Sequence, residues 1–305
     1  RSNRCLVVFA VTAALSTPAA DGGEVAGVED AFAQMKANEN TIRATIEDSV
    51  KIVEQCPHGS EKRERRRRLF FGAMMGDYDL DQLEALLFEL GDLVHRFVIV
   101  EADHTHQGVY RRQLLPGLLE VEGRLDLYRD KVWPHRVPLD PNACFADPWI
   151  CEGQQRDAIL NAAVEAGMER GRDVLIVADM DELPSRSVAN VLMLCDHGVE
   201  PVIIVLAHHV YSLQWEWSGW EFLLAAPAEY WLDPNSPTLT QARNMEDKPF
   251  KRINGLNTGW HLSYFGGPWM VRRKLLSFAH GEHSRPPYTD ISFIEEGMWG
   301  GADPF

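Results

Sequence analysis

Residues 173–182 read Asp-Val-Leu-Ile-Val-Ala-Asp-Met-Asp-Glu, and no other stretch limits the fold as strongly. A short, unbroken apolar run lies between charged residues and is rich in β-branched side chains. Its length suits a strand better than a helix, and a strand apolar on both sides must be covered on both sides. Such strands belong to parallel sheets with helices packed on each face. Extended residues alternate sides, so Asp179 and Asp181 emerge together while Met180 turns into the core. Two carboxylates at a strand end form an oxygen-rich site suited to Mg2+ or Mn2+, ions that keep positions open for substrate phosphates. The competing reading is an acidic strand end at which Asp179 caps the next helix.

Other segments continue the alternation. Residues 69–75 form a short apolar run ending at Gly76-Asp77. Leu80, Leu83, Leu86, Leu87 and Leu90 make a helical stripe, and Phe97–Val100 is a β-rich run ending at Glu101. Residues 152–166 suit a second helix, and Val202–Leu206 another buried strand. Together these predict an α/β domain with a mostly parallel central sheet over residues 69–305. In such sheets ligands bind beyond the carboxyl ends of the strands. Asp77, Glu101, Asp103, Asp179, Asp181 and Glu182 all fall at such ends, so carboxylates converge on one edge and repel one another unless a cation intervenes.

The formal net charge of −15 argues against nucleic acid or anionic lipid as a general partner. No Gly-rich lysine loop is present, which argues against a P-loop NTPase. None of the five cysteines forms a CxxC pair, which argues against a zinc ribbon or thioredoxin-type site; Cys144 and Cys151 read either as a local disulfide or as two buried thiols. At the N-terminus, Arg1 and Arg4 precede an apolar run and then small residues, so residues 1–20 read as a signal peptide or a truncated membrane anchor. Residues 21–68 read as a helical stem, with Ala31, Phe32, Met35, Ile42, Ile46, Val50 and Val53 at helical spacing, followed by a solvated basic linker at Lys62–Arg68.

Several blocks, in order, resemble glycosyltransferase family 17. They are Asp79-Leu80-Asp81 with Glu89-Leu90-Gly91-Asp92 and Phe97–Glu101, then Trp149-Ile150 with Arg156, then Asp173–Pro184 around Asp179-Met180-Asp181-Glu182, and last Gly259-Trp260-His261-Leu262-Ser263 with Lys274-Leu275. The resemblance covers about residues 69–303 and departs most between Gln107 and Asn142. It implies a GT-A type, Rossmann-like domain, inversion at the anomeric carbon, UDP-GlcNAc as donor and a mannose of an N-glycan, or another glycan, as acceptor. The N-terminal segment, whether cleaved or kept as an anchor, points to the Golgi or another secretory-pathway lumen.

Inversion in a single displacement needs a stabilised leaving group and a base on the far side. On this reading Asp181 and Asp179 hold the metal, and Glu182 stands behind them or touches the donor sugar. Arg156 grips the diphosphate or a carboxylate. Glu101 and, more weakly, Asp79 accept from ribose or uracil, although Asp79 reads equally as a helix N-cap. His261 completes the metal shell or binds phosphate, unless it is structural. Trp215, with Trp217, Trp220 and Trp260, offers aromatic faces for a sugar, against a reading as core packing. For the base, Asp290 comes first among His261, His280, Glu282, Asp290, Glu295, Glu296 and Asp303, because it falls in a block that resembles the family. Two rivals share these residues: a metal-dependent phosphohydrolase using the His104/His106 and His208/His209 pairs, and a non-catalytic sugar-binding protein on the same fold.

Overall fold

The computed structural model describes Cys56 and residues 60–302, apart from residues 122, 124, 247 and 256. Strand β1 (Arg68–Met75), helix α1 (Leu80–Leu90) and strand β2 (Val94–Ala102) follow one another. A short helix α2 (Leu115–Glu120) and a 3-10 segment at Asp126–Lys131 lead into β3 (Val132–Val137). Helices α3 (Pro141–Ala146) and α4 (Pro148–Glu165) precede β4 (Asp173–Asp179). Next come β5 (Glu182–Pro184), α5 (Arg186–Leu194), β6 (Val202–Val210) and β7 (Trp220–Pro227). Helices α6 (Ala228–Trp231) and α7 (Leu239–Asn244), then strands β8 (Lys251–Ile253) and β9 (Gly259–Ser263), carry the chain to α8 (Pro268–Leu275) and α9 (Ile291–Gly300).

The sheet has the order β3-β2-β1-β4-β7-β6-β9-β5, with β8 paired to β6. Strands β3, β2, β1 and β4 run parallel, and β7 is antiparallel between β4 and β6. The expected α/β fold with a mostly parallel central sheet is therefore present. Because β1, β2 and β4 are parallel neighbours, their acidic carboxyl ends do reach one edge.

Two apolar clusters explain why these strands carry no polar face. On β1, Leu69, Phe71, Ala73 and Met75 join α1 and α5 side chains such as Leu83, Leu86, Val188 and Leu192. Phe70 and Met74 face the other way, onto Ile159 and Ala162 of α4, with Trp231 and Leu239 in the same cluster. Phe70, Phe71 and Phe97 are wholly buried, and each such side chain contributes roughly 1.5–3 kcal/mol. Gly72 lets α4 settle on the sheet, since a Cβ there would lie 2.2 Å from Ile159 Cγ2. A third cluster, with Val210, Tyr211, Tyr264, Val271, Leu275 and Ile294, seats α8 and α9.

Helix starts are set by local chemistry. Asp147 accepts from Trp149 N ahead of Pro148 in α4, and Thr238 with Gln241 forms a capping box on α7. Ser185, not Asp179, caps α5, by accepting from Val188 N. Asp179 is thereby left for another use.

Cys144 and Cys151 form a disulfide, and a second joins Cys56 to Cys195. In the basic run, Arg63 N and Arg67 N donate to Leu194 O and Met193 O at the end of α5, while Lys62, Arg65 and Arg66 stay exposed. The expected N-terminal leader and stem helix lie outside the described residues, Cys56 apart. Among the described residues no helix is long and apolar enough to cross a membrane.

Candidate active site

Strand β4 ends where a pocket of about 460 Å3 opens beyond the carboxyl edge of the sheet. Asp179, Met180 and Asp181 all line it, although Met180 is only 2% exposed and packs into the core; β4 ends at Asp179, so Met180 and Asp181 lie in the turn after it. Strand β1 and the turn after it contribute Gly76 and Asp79, α4 contributes Glu152 and Arg156, β9 contributes His261, and α8 contributes Lys274. Trp217 and Trp220 add aromatic surface.

Each acidic group at β4 has a built-in partner. Arg156 Nη2 donates to Asp179 Oδ1 (3.0 Å) and to Glu152 Oε1 (2.8 Å). Arg243, from α7, donates to Asp179 Oδ2 (2.6 Å) and to Glu182 Oε1 (2.7 Å). Glu182 is wholly buried and also accepts from Asp179 N (2.8 Å) and from Trp220 Nε1. It is therefore the buttress under the Asp-x-Asp turn. Lys274 Nζ donates to Asp181 Oδ2 at 2.6 Å, and His261 Nε2 lies 3.5 Å from Asp181 Oδ1.

These pairs set the charge states. Burial opposes ionisation of Asp179, but Arg243 and then Arg156 outweigh it and hold the carboxyl at about 2. Burial likewise opposes charge on Asp181, and Lys274 followed by His261 overrides it, so the carboxyl lies far below the usual range. Asp79 shows the opposite balance: burial pushes it up to about 7, only partly offset by Lys274. The His208 imidazole, half-buried and stacked 4.5 Å from His261, is pushed down to about 4 by burial and by His261. The site thus carries anions and cations in alternation, with four cationic side chains (Arg111, Arg156, Arg243, Lys274) lining one cavity.

The donor set suits one divalent ion. Asp181 supplies a carboxylate oxygen beside the imidazole of His261, a mixed oxygen and nitrogen pair that Mn2+ accepts. The His261 nitrogen that faces Asp181, Nε2, also bonds Ser263 Oγ at 3.0 Å, while Nδ1 is buried without a hydrogen-bond partner. Both oxygens of Asp179 are taken by arginines.

The family model of glycosyltransferase family 17 matches residues 31–265, well over half the chain. This chain belongs to glycosyltransferase family 17. It is similar to the β-1,4-mannosyl-glycoprotein 4-β-N-acetylglucosaminyltransferases of Homo sapiens, Rattus norvegicus and Mus musculus, each 26% identical over 243 residues. Those matches cover 73% of this chain and 45% of each relative, so the chain spans about half the length of these curated relatives. A solved mannosyltransferase from Pyrobaculum calidifontis, in complex with GDP-Man and Mn2+, superposes with a TM-score of 0.41 and 13% identity, covering 88% of this chain and 80% of that one.

Within this family 17 chain, the pocket brings together Asp79, Arg156, Asp179, Asp181 and His261 from the residues singled out by sequence. Asp79 occupies the N-cap position of α1 but makes no side-chain cap bond, and accepts instead from Gly76 N (2.7 Å). Glu101, Trp215, Glu182 and Asp290 are not part of the pocket lining. Glu101 is spent inside the fold: its two carboxylate oxygens accept from Leu114 N and Leu115 N at the start of α2. Trp215 Nε1 donates to Met298 O, fixing α9, and the tryptophans that reach the pocket are Trp149, Trp217 and Trp220. Asp290 is exposed at the N-cap position of α9 and caps no backbone amide.

Arg243 is the main residue that sequence reading passed over. It sits 64 positions beyond Asp179, in a six-residue helix, and no local pattern marks it. The histidine pairs are spread among different partners: His104 on Asp103, His106 on Gln155, His208 on His261. Among the described residues, the one trio with ligand atoms close enough for a metal is His280, Glu282 and His283.

Proposed function

We propose that this chain is an inverting glycosyltransferase that moves N-acetylglucosamine from UDP-GlcNAc to a mannose of an N-glycan in β-1,4 linkage. The supporting observation is the Asp-x-Asp turn at the end of β4, opening into a pocket that mixes carboxylates, four cationic side chains and indole rings. A nucleoside diphosphate needs positive charge, and a sugar ring needs flat apolar surface with polar groups at its edge.

In this reading Asp181 and His261 would hold Mn2+ or Mg2+, which when bound supplies positive charge to the departing diphosphate. Asp179 orients Arg156, whose planar fork faces the same phosphates. Lys274 adds a further charge at that end of the pocket. Glu182 acts from behind, by holding Arg243 and the Asp179 amide in place. Asp79, whose carboxyl burial raises to about 7 so that it is partly protonated at neutral pH, suits a hydrogen bond to the nucleoside better than a contact to phosphate. Trp217 and Trp220 offer faces for the transferred sugar.

An N-glycan acceptor is met in the secretory pathway, and the two disulfides support an oxidising compartment of that kind. The test is product analysis. The purified chain is incubated with UDP-GlcNAc, Mn2+ and a biantennary N-glycan, and the product linkage is determined by NMR. A β-1,4-linked N-acetylglucosamine on mannose supports the reading. Transfer of another sugar, or to another hydroxyl, would retain the transferase and discard this donor or acceptor.

A further inference from the structure

A cavity of about 460 Å3 takes one compact ligand, and a nucleotide-sugar with the ring it reacts with fills such a space. An N-glycan is branched and longer, so most of the acceptor has to lie on surface that continues from the cavity. A second depression provides that surface. It is an open groove of about 520 Å3 between α4 and α7, and Trp149 lines both the groove and the cavity.

Helix spacing builds one wall. Ile150, Gln154, Asp157 and Asn161 all line the groove and form a single stripe on α4, turned away from the buried Gln155, Ile159 and Ala162. From Trp149 to Asn161 the stripe runs roughly 18 Å at the helical rise, longer than one pyranose ring. Thr240 of α7 forms the other wall. Its N–H donates to Asp157 Oδ1 at 2.8 Å and its hydroxyl to Gly153 O at 3.1 Å, so the two helices are held together before any ligand arrives.

Trp149, at the junction, is 47% exposed yet firmly placed. Its backbone N–H donates to Asp147 Oδ1 at 3.1 Å, the Cys144–Cys151 disulfide ties the first turn of α4 back to α3, and its ring stands edge-on to His280 with centroids 4.7 Å apart. A fixed indole suits the flat C–H face of a sugar, and polar side chains suit the hydroxyls at its edge. Gln154 and Asn161 are exposed amides, each with a donor and an acceptor to offer a hydroxyl pair. Asp157 is the one charged residue in the groove lining, so a phosphate or other anion finds no cation there.

We propose that the α4–α7 groove is a binding subsite for the neutral, hexose-rich part of the acceptor beyond the reacting sugar, with Trp149 as the platform at its entrance; this rests on the transferase reading above. The donor stays in the cavity among Arg156, Arg243 and Lys274, and the groove selects for the size of the acceptor.

The experiment measures donor KM and kcat/KM for three acceptors: a free biantennary N-glycan, the same glycan on a peptide, and a simple mannoside. It compares the wild type, Trp149→Ala, and Gln154→Ala combined with Asn161→Ala; binding of the free glycan without donor is read by NMR. Both amides are exposed, and circular dichroism checks that the double variant folds. The wild type is expected to prefer the free glycan to the mannoside. The double variant is expected to lose about tenfold of that preference, the size of one or two hydrogen bonds, and Trp149→Ala to lose more, both with weaker glycan binding. A wild type indifferent to acceptor size, an unchanged preference in the double variant, or a preference seen only with the peptide-linked glycan would overturn the assignment. So would a rise in donor KM in Trp149→Ala with the acceptor preference unchanged, which would give Trp149 to the nucleotide. Absence of acceptor-dependent release in the wild type would instead sink the transferase reading. Glycan binding then judges the groove separately: binding weakened in the double variant keeps it, and equal binding overturns it.

Discussion

Replacing Arg243 with Met tests whether the ion cluster beneath β4 is structural as well as functional. The guanidinium is 4% exposed and joins Asp179 to the wholly buried Glu182. Met has similar length and no charge, so the substitution leaves two carboxylates short of a partner. Breaking a buried pair from one side costs about 3–5 kcal/mol. Asp179 keeps Arg156, and Glu182 keeps Trp220 Nε1 and the Asp179 amide, so the lower end, ~3 kcal/mol, applies. For a domain of this size that corresponds to a Tm lower by roughly 6–12 °C. The pH dependence follows from Asp179, whose folded carboxyl is held at about 2, below its unfolded value. A depressed carboxyl stabilises the fold above the unfolded pKa and loses that contribution as pH falls through the folded one. The difference between wild type and Arg243→Met should thus be full at pH 7 and shrink as pH falls from about 4 towards 2. Scanning calorimetry across that range provides the measurement. A Tm within 2 °C of wild type at pH 7, in a folded variant, would refute the reasoning about roughly 3 kcal/mol.

Three further outcomes are expected. Asp79→Asn removes a carboxyl raised to about 7; because the folded state binds that proton more tightly, wild-type stability declines between about pH 4 and 7, so the variant should gain Tm relative to wild type as pH rises over that window. Gly259→Ala should lower Tm, since φ is +133° there and a Cβ would sit 2.3 Å from Leu183 O, which disrupts the β5–β9 pairing; a cost of about 1–3 kcal/mol or more is expected. Removing the Cys56–Cys195 disulfide (separation 139) should destabilise more than removing Cys144–Cys151 (separation 7), with loop entropies of about 5 and about 2.5 kcal/mol, read from chemical denaturation of the paired Cys→Ser variants.

The parts of the fold legible in sequence were those whose signal is local. The apolar run at Val174–Ala178 became β4, the leucine stripe became α1, and Val202–Leu206 became the start of a longer β6. Asp179 and Asp181 both line the pocket, but strand alternation is not the cause: β4 ends at Asp179, and Asp181 lies in the turn before β5. The α4 start was placed four residues late, because the cap at Asp147 and Pro148 lies before the helical stripe begins. What stayed hidden depends on pairing between distant residues. Nothing near Arg243 announces that it buries its charge against Glu182, and nothing near Cys56 points to Cys195. Glu101 ends its strand at the ligand edge, as expected, yet the chain folds back and its carboxylate caps α2. Trp215 and Trp217 are two residues apart, and only the path of the loop decides which reaches the pocket.

The most direct test of the central claim is UDP release from UDP-GlcNAc, measured on the purified chain with Mn2+, with and without an N-glycan acceptor, beside Asp181→Asn. Release that requires the acceptor, stops on chelation and is lost in a folded Asp181→Asn protein is the predicted result. Release that is indifferent to acceptor, or unchanged in Asp181→Asn, would contradict the assignment of this pocket to glycosyl transfer.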